Sequence, residues 1–267
     1  YVEYNGRIEA FDETTLEPVW ISEELSHEET NSETGKTTTV DDTIASRLFY
    51  DDGHLYFGTG KNSGSGKYYV IDTKSEKKED ATKTEEIKNV KEIISSEGSF
   101  YLKNAVKVGQ YIITSDNQGT ISSIDTKNND KVVSTKEIGK RFSGGIAYDK
   151  TTNMIYFVAG TNDLYGVKVG NDGTFGEEKS VRVYETGYSA MTPEVYNGKV
   201  YVSGCVGTSP FSDKGYLAVV DVQSEQYKVN YIVELPAYAM GEMLVSKTGE
   251  NSVRLYFTVN YAESDEN

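Results

Sequence analysis

Two histidines, His27 and His54, are the only imidazoles in the 267-residue chain. A hydrolytic triad needs such a base oriented beside its nucleophile. His27 falls in a polar stretch and His54 in a turn, with no acidic or serine partner at motif spacing. Gly187-Tyr188-Ser189-Ala190-Met191 lacks the second glycine of a nucleophile elbow. Gly60-Lys61-Asn62-Ser63-Gly64-Ser65-Gly66-Lys67 comes close to a phosphate loop, but five residues separate Gly60 from Gly66 where the motif has four. Tyr68 also stands where the magnesium-holding Ser or Thr belongs. Asp116-Asn117-Gln118-Gly119 offers one acidic residue where calcium loops alternate several oxygen donors, and Asn171-Asp172-Gly173 reads as a plain turn. The single cysteine, Cys205, excludes a disulfide framework and a four-cysteine zinc site. No catalytic residue and no metal ligand is nominated.

Charge narrows the partners. Lys and Arg number 27 against 42 Asp and Glu, a formal net charge of −15. Phosphate-backbone binding rests on counterions released by a basic face, so nucleic acid is not an expected partner. No apolar run approaches the roughly 18 residues of a membrane span. Tyr1-Val2-Glu3-Tyr4 carries no basic region ahead of an apolar one, so an exported protein would have its signal peptide removed or outside this chain.

Composition points to strands. Tyrosine reaches 21, against 9 Phe and 1 Trp, with 25 glycines and only 4 prolines. Tyrosine suits half-buried strands, where a ring face packs while the hydroxyl stays wet, and glycine supplies tight turns.

Two short patterns recur alternately. The first is a glycine or polar turn, one residue, an apolar residue and then usually tyrosine. It occurs at Gly53-His54-Leu55-Tyr56, Gly109-Gln110-Tyr111-Ile112, Asn153-Met154-Ile155-Tyr156, Gly198-Lys199-Val200-Tyr201 and Val253-Arg254-Leu255-Tyr256. Its last residues are spaced 56, 44, 45 and 55 apart, near the roughly 40–50-residue period of propeller blades. The second is a glycine followed six positions on by aspartate with apolar residues alternating between. Copies run Gly6 to Asp12, Gly66 to Asp72, Gly119 to Asp125 and Gly215 to Asp221, with a degenerate one from Asn162 to Lys168. Period-two alternation argues strand, and the closing aspartate argues a turn.

Each unit therefore reads as four antiparallel strands. An innermost strand such as Glu194-Val195-Tyr196 comes first, then the two motifs, then a charged outer strand such as Lys131-Val132-Val133-Ser134 that guards the sheet edge. A partial unit is expected at 1–25, complete ones near 43–90, 91–140, 141–186 and 187–235, and a half unit at 236–267. The polar stretch from Ser26 to Asp42 reads as a long exposed loop, and Thr82 to Ser95 as either a short helix or a long outer strand. The fold class is an all-β propeller of four-stranded antiparallel blades, one domain over 1–267. Whether the terminal strands close a five-bladed ring or belong to a larger one stays open, with the Asn5-Gly6 hairpin signal favouring the larger ring.

Ala10-Phe11-Asp12-Glu13-Thr14-Thr15-Leu16-Glu17-Pro18-Val19-Trp20 resembles the tryptophan-docking repeat of quinoprotein-type (PQQ-like repeat) β-propellers. Ala10, Asp12, Thr15 and Trp20 match in place, while Leu16 occupies the family glycine's position. The stretch from Thr192 to Gly204 and that from Val253 to Tyr261 look like propellers of bacterial secreted or cell-surface proteins. The resemblance implies a fold and an extracellular or surface location, and no chemistry. Enzymatic members hold a quinone and calcium; with one cysteine and no second tryptophan, no cofactor is expected. Trp20 reads as a packing residue between blades.

One site remains. Loops leading into the innermost strands would share one mouth of the channel, and they bring Tyr101 with Lys103, Arg141, Tyr188, and Tyr238 with Glu242. Amphipathic rings with a few charges suit a protein, peptide or glycan ligand. The expectation is a monomeric, non-catalytic binding or scaffolding module. The alternatives are a quinone-dependent dehydrogenase or its degenerate relative, and an envelope-protein assembly scaffold that recognises extended strands by edge pairing.

Overall fold

The structure, a computed structural model, describes residues 2–4, 6–30, 33–73, 85–87, 90–207, 214–249 and 252–260. Every regular element among the described residues is a strand. Two compact units divide the chain at residues 101 and 102.

The first unit contains β1 (Val2–Tyr4), β2 (Arg7–Phe11), β3 (Pro18–Ser22), β4 (Ser26–Thr30), β5 (Thr37–Asp41), β6 (Phe49–Asp51), β7 (His54–Gly58), β8 (Gly66–Asp72), β9 (Glu85–Ile87) and β10 (Val90–Ser96). One sheet has the order β1-β2-β3-β9, with β9 joining in parallel, and another the antiparallel order β6-β7-β8-β10. Trp20, Ile8 and Ala10 from the first sheet pack against Leu55, Phe57, Tyr69 and Ile71 of the second. The indole is 4% exposed, so Trp20 is the packing residue the repeat implies.

Two expectations change here. The stretch from Ser26 to Asp42 is not a loop but a hairpin, with β4 and β5 paired from Ser26 opposite Asp41 to Thr30 opposite Thr37. Threonine favours extended backbone without leaving an apolar period to read. The undecided stretch near residue 90 is the outer strand β10, which carries the second sheet on to Ser96; much of residues 82–89 lies outside the described residues.

The second unit repeats one plan. Its strands are β11 (Ala105–Val108), β12 (Tyr111–Ser115), β13 (Thr120–Asp125), β14 (Lys131–Glu137), β15 (Ala147–Asp149), β16 (Met154–Ala159), β17 (Asp163–Val169), β18 (Phe175–Arg182), β19 (Glu194–Tyr196), β20 (Lys199–Cys205), β21 (Gly215–Asp221), β22 (Lys228–Leu235), β23 (Leu244–Lys247) and β24 (Val253–Tyr256). Three four-stranded antiparallel sheets run in chain order, β11 to β14, β15 to β18 and β19 to β22, followed by the pair β23-β24. The first strands β11, β15, β19 and β23 lie side by side in succession. Apolar faces close between consecutive sheets: Ile113 and Ile121 with Phe157 and Tyr165, then Tyr156 and Leu164 with Val202 and Tyr216, then Tyr201 and Leu217 with Val245 and Leu255. Each fully buried large side chain contributes roughly 1.5–3 kcal/mol.

Hydrogen bonds repeat with the sheets. The residue closing each third strand returns its N–H to the turn ahead of the second strand: Thr73 to Gly53, Thr126 to Gln110, Val169 to Asn153 and Val222 to Gly198. Asp12, Asp125 and Asp221 accept backbone N–H groups from Thr14, Lys127 and Gln223, capping the turns as their spacing implies.

Tyr56, Tyr156 and Tyr201 occupy the same place, third residue of the second strand. Ile112 and Tyr256 lie on second strands too, but one position out of step; Ile113 and Leu255 take the equivalent places. Turn geometry explains the first slip. In Asp52-Gly53 and Asn197-Gly198 both residues have positive φ and glycine is second, whereas at Gly109-Gln110 glycine is first, with φ of 63°. Counting from the glycine thus shifts the strand by one.

Candidate functional site

The segments entering the first strands are built alike. Each begins with a large apolar or aromatic residue five or six positions ahead of the strand: Ile44, Phe100, Phe142, Tyr188 and Tyr238. Ile44, Phe142 and Tyr188 form isolated bridges to the end of the second strand, at Thr59, Ala159 and Cys205, and the Tyr238 carbonyl accepts the Asn260 N–H. Tyr188 and Tyr238, nominated from the sequence, and Phe142, beside the nominated Arg141, hold this place in their segments; in the segment ahead of β11 it falls to Phe100, one residue before the nominated Tyr101. The missed signal is an apolar residue followed in most copies by Ala or Ser, as in Ile44-Ala45, Phe142-Ser143, Tyr188-Ser189 and Tyr238-Ala239. The large residue must fill the gap beneath the second strand while the small one lets the next segment approach.

In the second unit these segments touch in a row. A methyl group on Gly144 would stand 2.2 Å from the Met191 carbonyl oxygen, and one on Gly145 would meet Thr192 and Asn104. The Asn104 side chain clasps Ile146 twice, donating to its carbonyl at 2.9 Å and accepting its N–H at 2.7 Å. Further along, the Ala190 N–H donates to Tyr238 Oη at 2.6 Å, and Ser203 Oγ donates to the Ala239 carbonyl at 2.7 Å.

The nominated residues divide between this stitching and the surface. Lys103 is 1% exposed, and its Nζ donates to the carbonyls of Phe142 at 2.9 Å and Gly144 at 3.1 Å. Burial pushes its pKa down to about 7; Asp116 opposes the fall and the Arg141 charge adds to it. Tyr238 is fully buried, its ring edge-on to Tyr188 with centroids 6.2 Å apart, and burial pushes its phenol up to about 12. Both nominated side chains are therefore taken up inside the fold. Arg141 and Glu242 are exposed, Tyr188 is half-buried, and Met240, not anticipated from the sequence, is 41% exposed. Tyr101 belongs to the first unit and is 38% exposed.

Other reactive groups are taken up by the fold. Cys205 is fully buried and burial pushes its thiol up, away from the thiolate form that reacts. Asp163 lies between Arg182 and Lys140, with Oδ1 2.5 Å from Arg182 Nε and Oδ2 2.8 Å from Lys140 Nζ; the Arg182 hydrogen bond, with Lys140, holds its carboxyl below the usual range. Asp116 Oδ1 accepts the N–H groups of Gln118, Gly119 and Thr120, so it closes a turn. Among the described residues, no three His, Cys, Asp or Glu side chains converge as a metal site. Trp20, which could have stacked on a planar cofactor, is part of the core.

These antiparallel four-stranded sheets, stacked in chain order with their first strands side by side, are the blade arrangement of a β-propeller. The chain is similar in fold to solved structures. The functionally unknown protein from Desulfotomaculum acetoxidans matches with a TM-score of 0.55 and 16% identity, over 94% of this chain and 69% of that one. BamB from Moraxella catarrhalis matches with a TM-score of 0.48 and 19% identity over 78% of this chain; the match spans about half, 54%, of the BamB chain. At such identities the likeness is one of fold alone. No protein-family model and no curated protein matches the chain. Among the described residues no helix is long and apolar enough to cross a membrane.

Proposed function

We infer that the chain is a non-catalytic binding or scaffolding propeller module of PQQ-like repeats, working at a bacterial cell surface or in the envelope. One observation carries the reading. The contacting row of entry segments in the second unit buries its amine and one phenol, and leaves a guanidinium, a half-buried tyrosine, a thioether and a carboxylate toward solvent: Arg141, Tyr188, Met240 and Glu242. Those are recognition groups. Arginine offers a planar fork for carboxylate or sulfate, tyrosine a broad amphipathic face, and methionine an adaptable apolar one. Tyr101 and Lys103 were nominated with them; Lys103 acts by holding the row together, and Tyr101 is the entry-segment ring the first unit exposes.

The ligand class the row suits is an extended peptide or an acidic glycan. Probing peptide and glycan arrays with the labelled protein tests this: binders bearing a carboxylate or sulfate are expected. A parallel melt with pyrroloquinoline quinone and calcium separates the dehydrogenase reading, because a ligand held only by the folded state must raise the melting temperature. A clear rise with the quinone would overturn the non-catalytic reading.

A further inference from the structure

The outer strands of the three complete sheets in the second unit are not alike. β18 exposes glycine, two glutamates, lysine, serine and arginine, and β14 exposes one large apolar residue, Val133, at 37%. These two edges are also tied by an ion pair between Lys136 and Glu178, Nζ to Oε2 2.6 Å. Charged outer strands of this kind keep a sheet edge from pairing with other chains. β22 breaks the pattern. Tyr231, Ile232 and Val233 are 58%, 41% and 44% exposed in succession, and among the described residues no strand pairs beyond β22. Its bulge, at Asn230, lies ahead of this apolar run.

We propose that the β22 edge is an interface for a second copy of this chain, added antiparallel as a continuation of the sheet. The charges on the strand choose the occupant and its direction. Lys228 stands near the start and Glu234 near the end, both exposed. Two antiparallel copies bring each Lys228 end against the partner's Glu234 end, at both sides of a two-fold axis, while a parallel pairing would set like charges together. In that register Tyr231 meets Tyr231 at the axis, and Ile232 and Val233 stand opposite Asn230 and Val229 of the other copy. With a net charge of −15 on each chain, the copies repel at long range, so association strengthens as salt screens the bodies. One strand edge is smaller than a standard interface, so the association is expected to be weak and reversible. This changes the monomer expected from the sequence into a concentration-dependent dimer, through a surface separate from the entry-segment row.

Sedimentation velocity over a concentration series, at low and high salt, tests the proposal. The unmodified chain is expected to pass from monomer to dimer, with tighter association at high salt. Ile232→Lys should leave a monomer with an unchanged melting temperature, since its side chain is solvent-facing. Lys228→Glu or Glu234→Lys alone should weaken association about tenfold, and the double exchange should restore it. Arg141→Glu should associate as the unmodified chain does, keeping this result independent of the entry-segment reading. A monomer at every concentration would overturn the proposal. So would a dimer that survives Ile232→Lys, or a double exchange that associates no better than its single parents.

Discussion

The Nζ of Lys103 lies 2.9 Å from the carbonyl oxygen of Phe142, on the entry segment of the next sheet, and a second bond to Gly144 completes its pairing. A lysine that looks from sequence like a ligand contact is thus a cross-link between sheets. Burial lowers its folded pKa to about 7 against an unfolded value near 10.5. The unfolded chain then binds more protons between those limits, so this residue's contribution to stability rises as pH increases from 7 to 10.5 and is lost as pH falls toward 7. Urea denaturation from pH 7 to 9, below the range in which the unfolded chain's phenols titrate, should show the rise, and Lys103→Met should flatten it. An equal slope in the variant would assign the pH dependence elsewhere.

Leu16 sits at φ 60° in the turn between β2 and β3, 74% exposed, where the resembled repeat carries glycine. A side chain with a Cβ is strained there and gains little burial in return. Leu16→Gly should raise stability by about 1 kcal/mol by chemical denaturation, with Leu16→Asn intermediate. A loss of stability would mean that the leucine packs on something the turn does not show.

Gly144 lets two entry segments approach until a Cβ would stand 2.2 Å from the Met191 carbonyl oxygen. Main chain cannot swing aside as a side chain does. Gly144→Ala should cost about 2–3 kcal/mol. Gly176→Ala, whose Cβ would meet nothing nearer than 3.5 Å, is the matched control and should be close to neutral.

Strand order was legible because Tyr56, Tyr156 and Tyr201 follow a turn signal, glycine or asparagine, and Tyr56 and Tyr201 also precede a closing aspartate, and turn chemistry is local. Ile112 slipped because glycine's place within a two-residue turn is set by the φ of its neighbour, which composition does not record. Tyr256 follows a longer connection, which hides the offset in the same way. The threonine hairpin of β4 and β5 carries no apolar period and so left no trace. At the candidate site, residue types pointed to the entry segments but not to which of their side chains the fold covers. Lys103 and Tyr238 differ from Arg141 and Tyr188 only in how deeply the neighbouring sheet covers them, a non-local property.

The account's central claim is that exposed groups of the entry segments bind a ligand while their buried neighbours hold the fold. Titration of an array-selected acidic peptide or glycan into the unmodified chain and into Arg141→Glu tests it most directly, with melting temperature as the check on folding. Reversing the charge of an exposed guanidinium should weaken binding by about tenfold or more and leave the melting temperature unchanged, since a charge-assisted hydrogen bond contributes about 1.5–3 kcal/mol. Undiminished binding by Arg141→Glu would contradict the claim and move the ligand away from this end of the sheets.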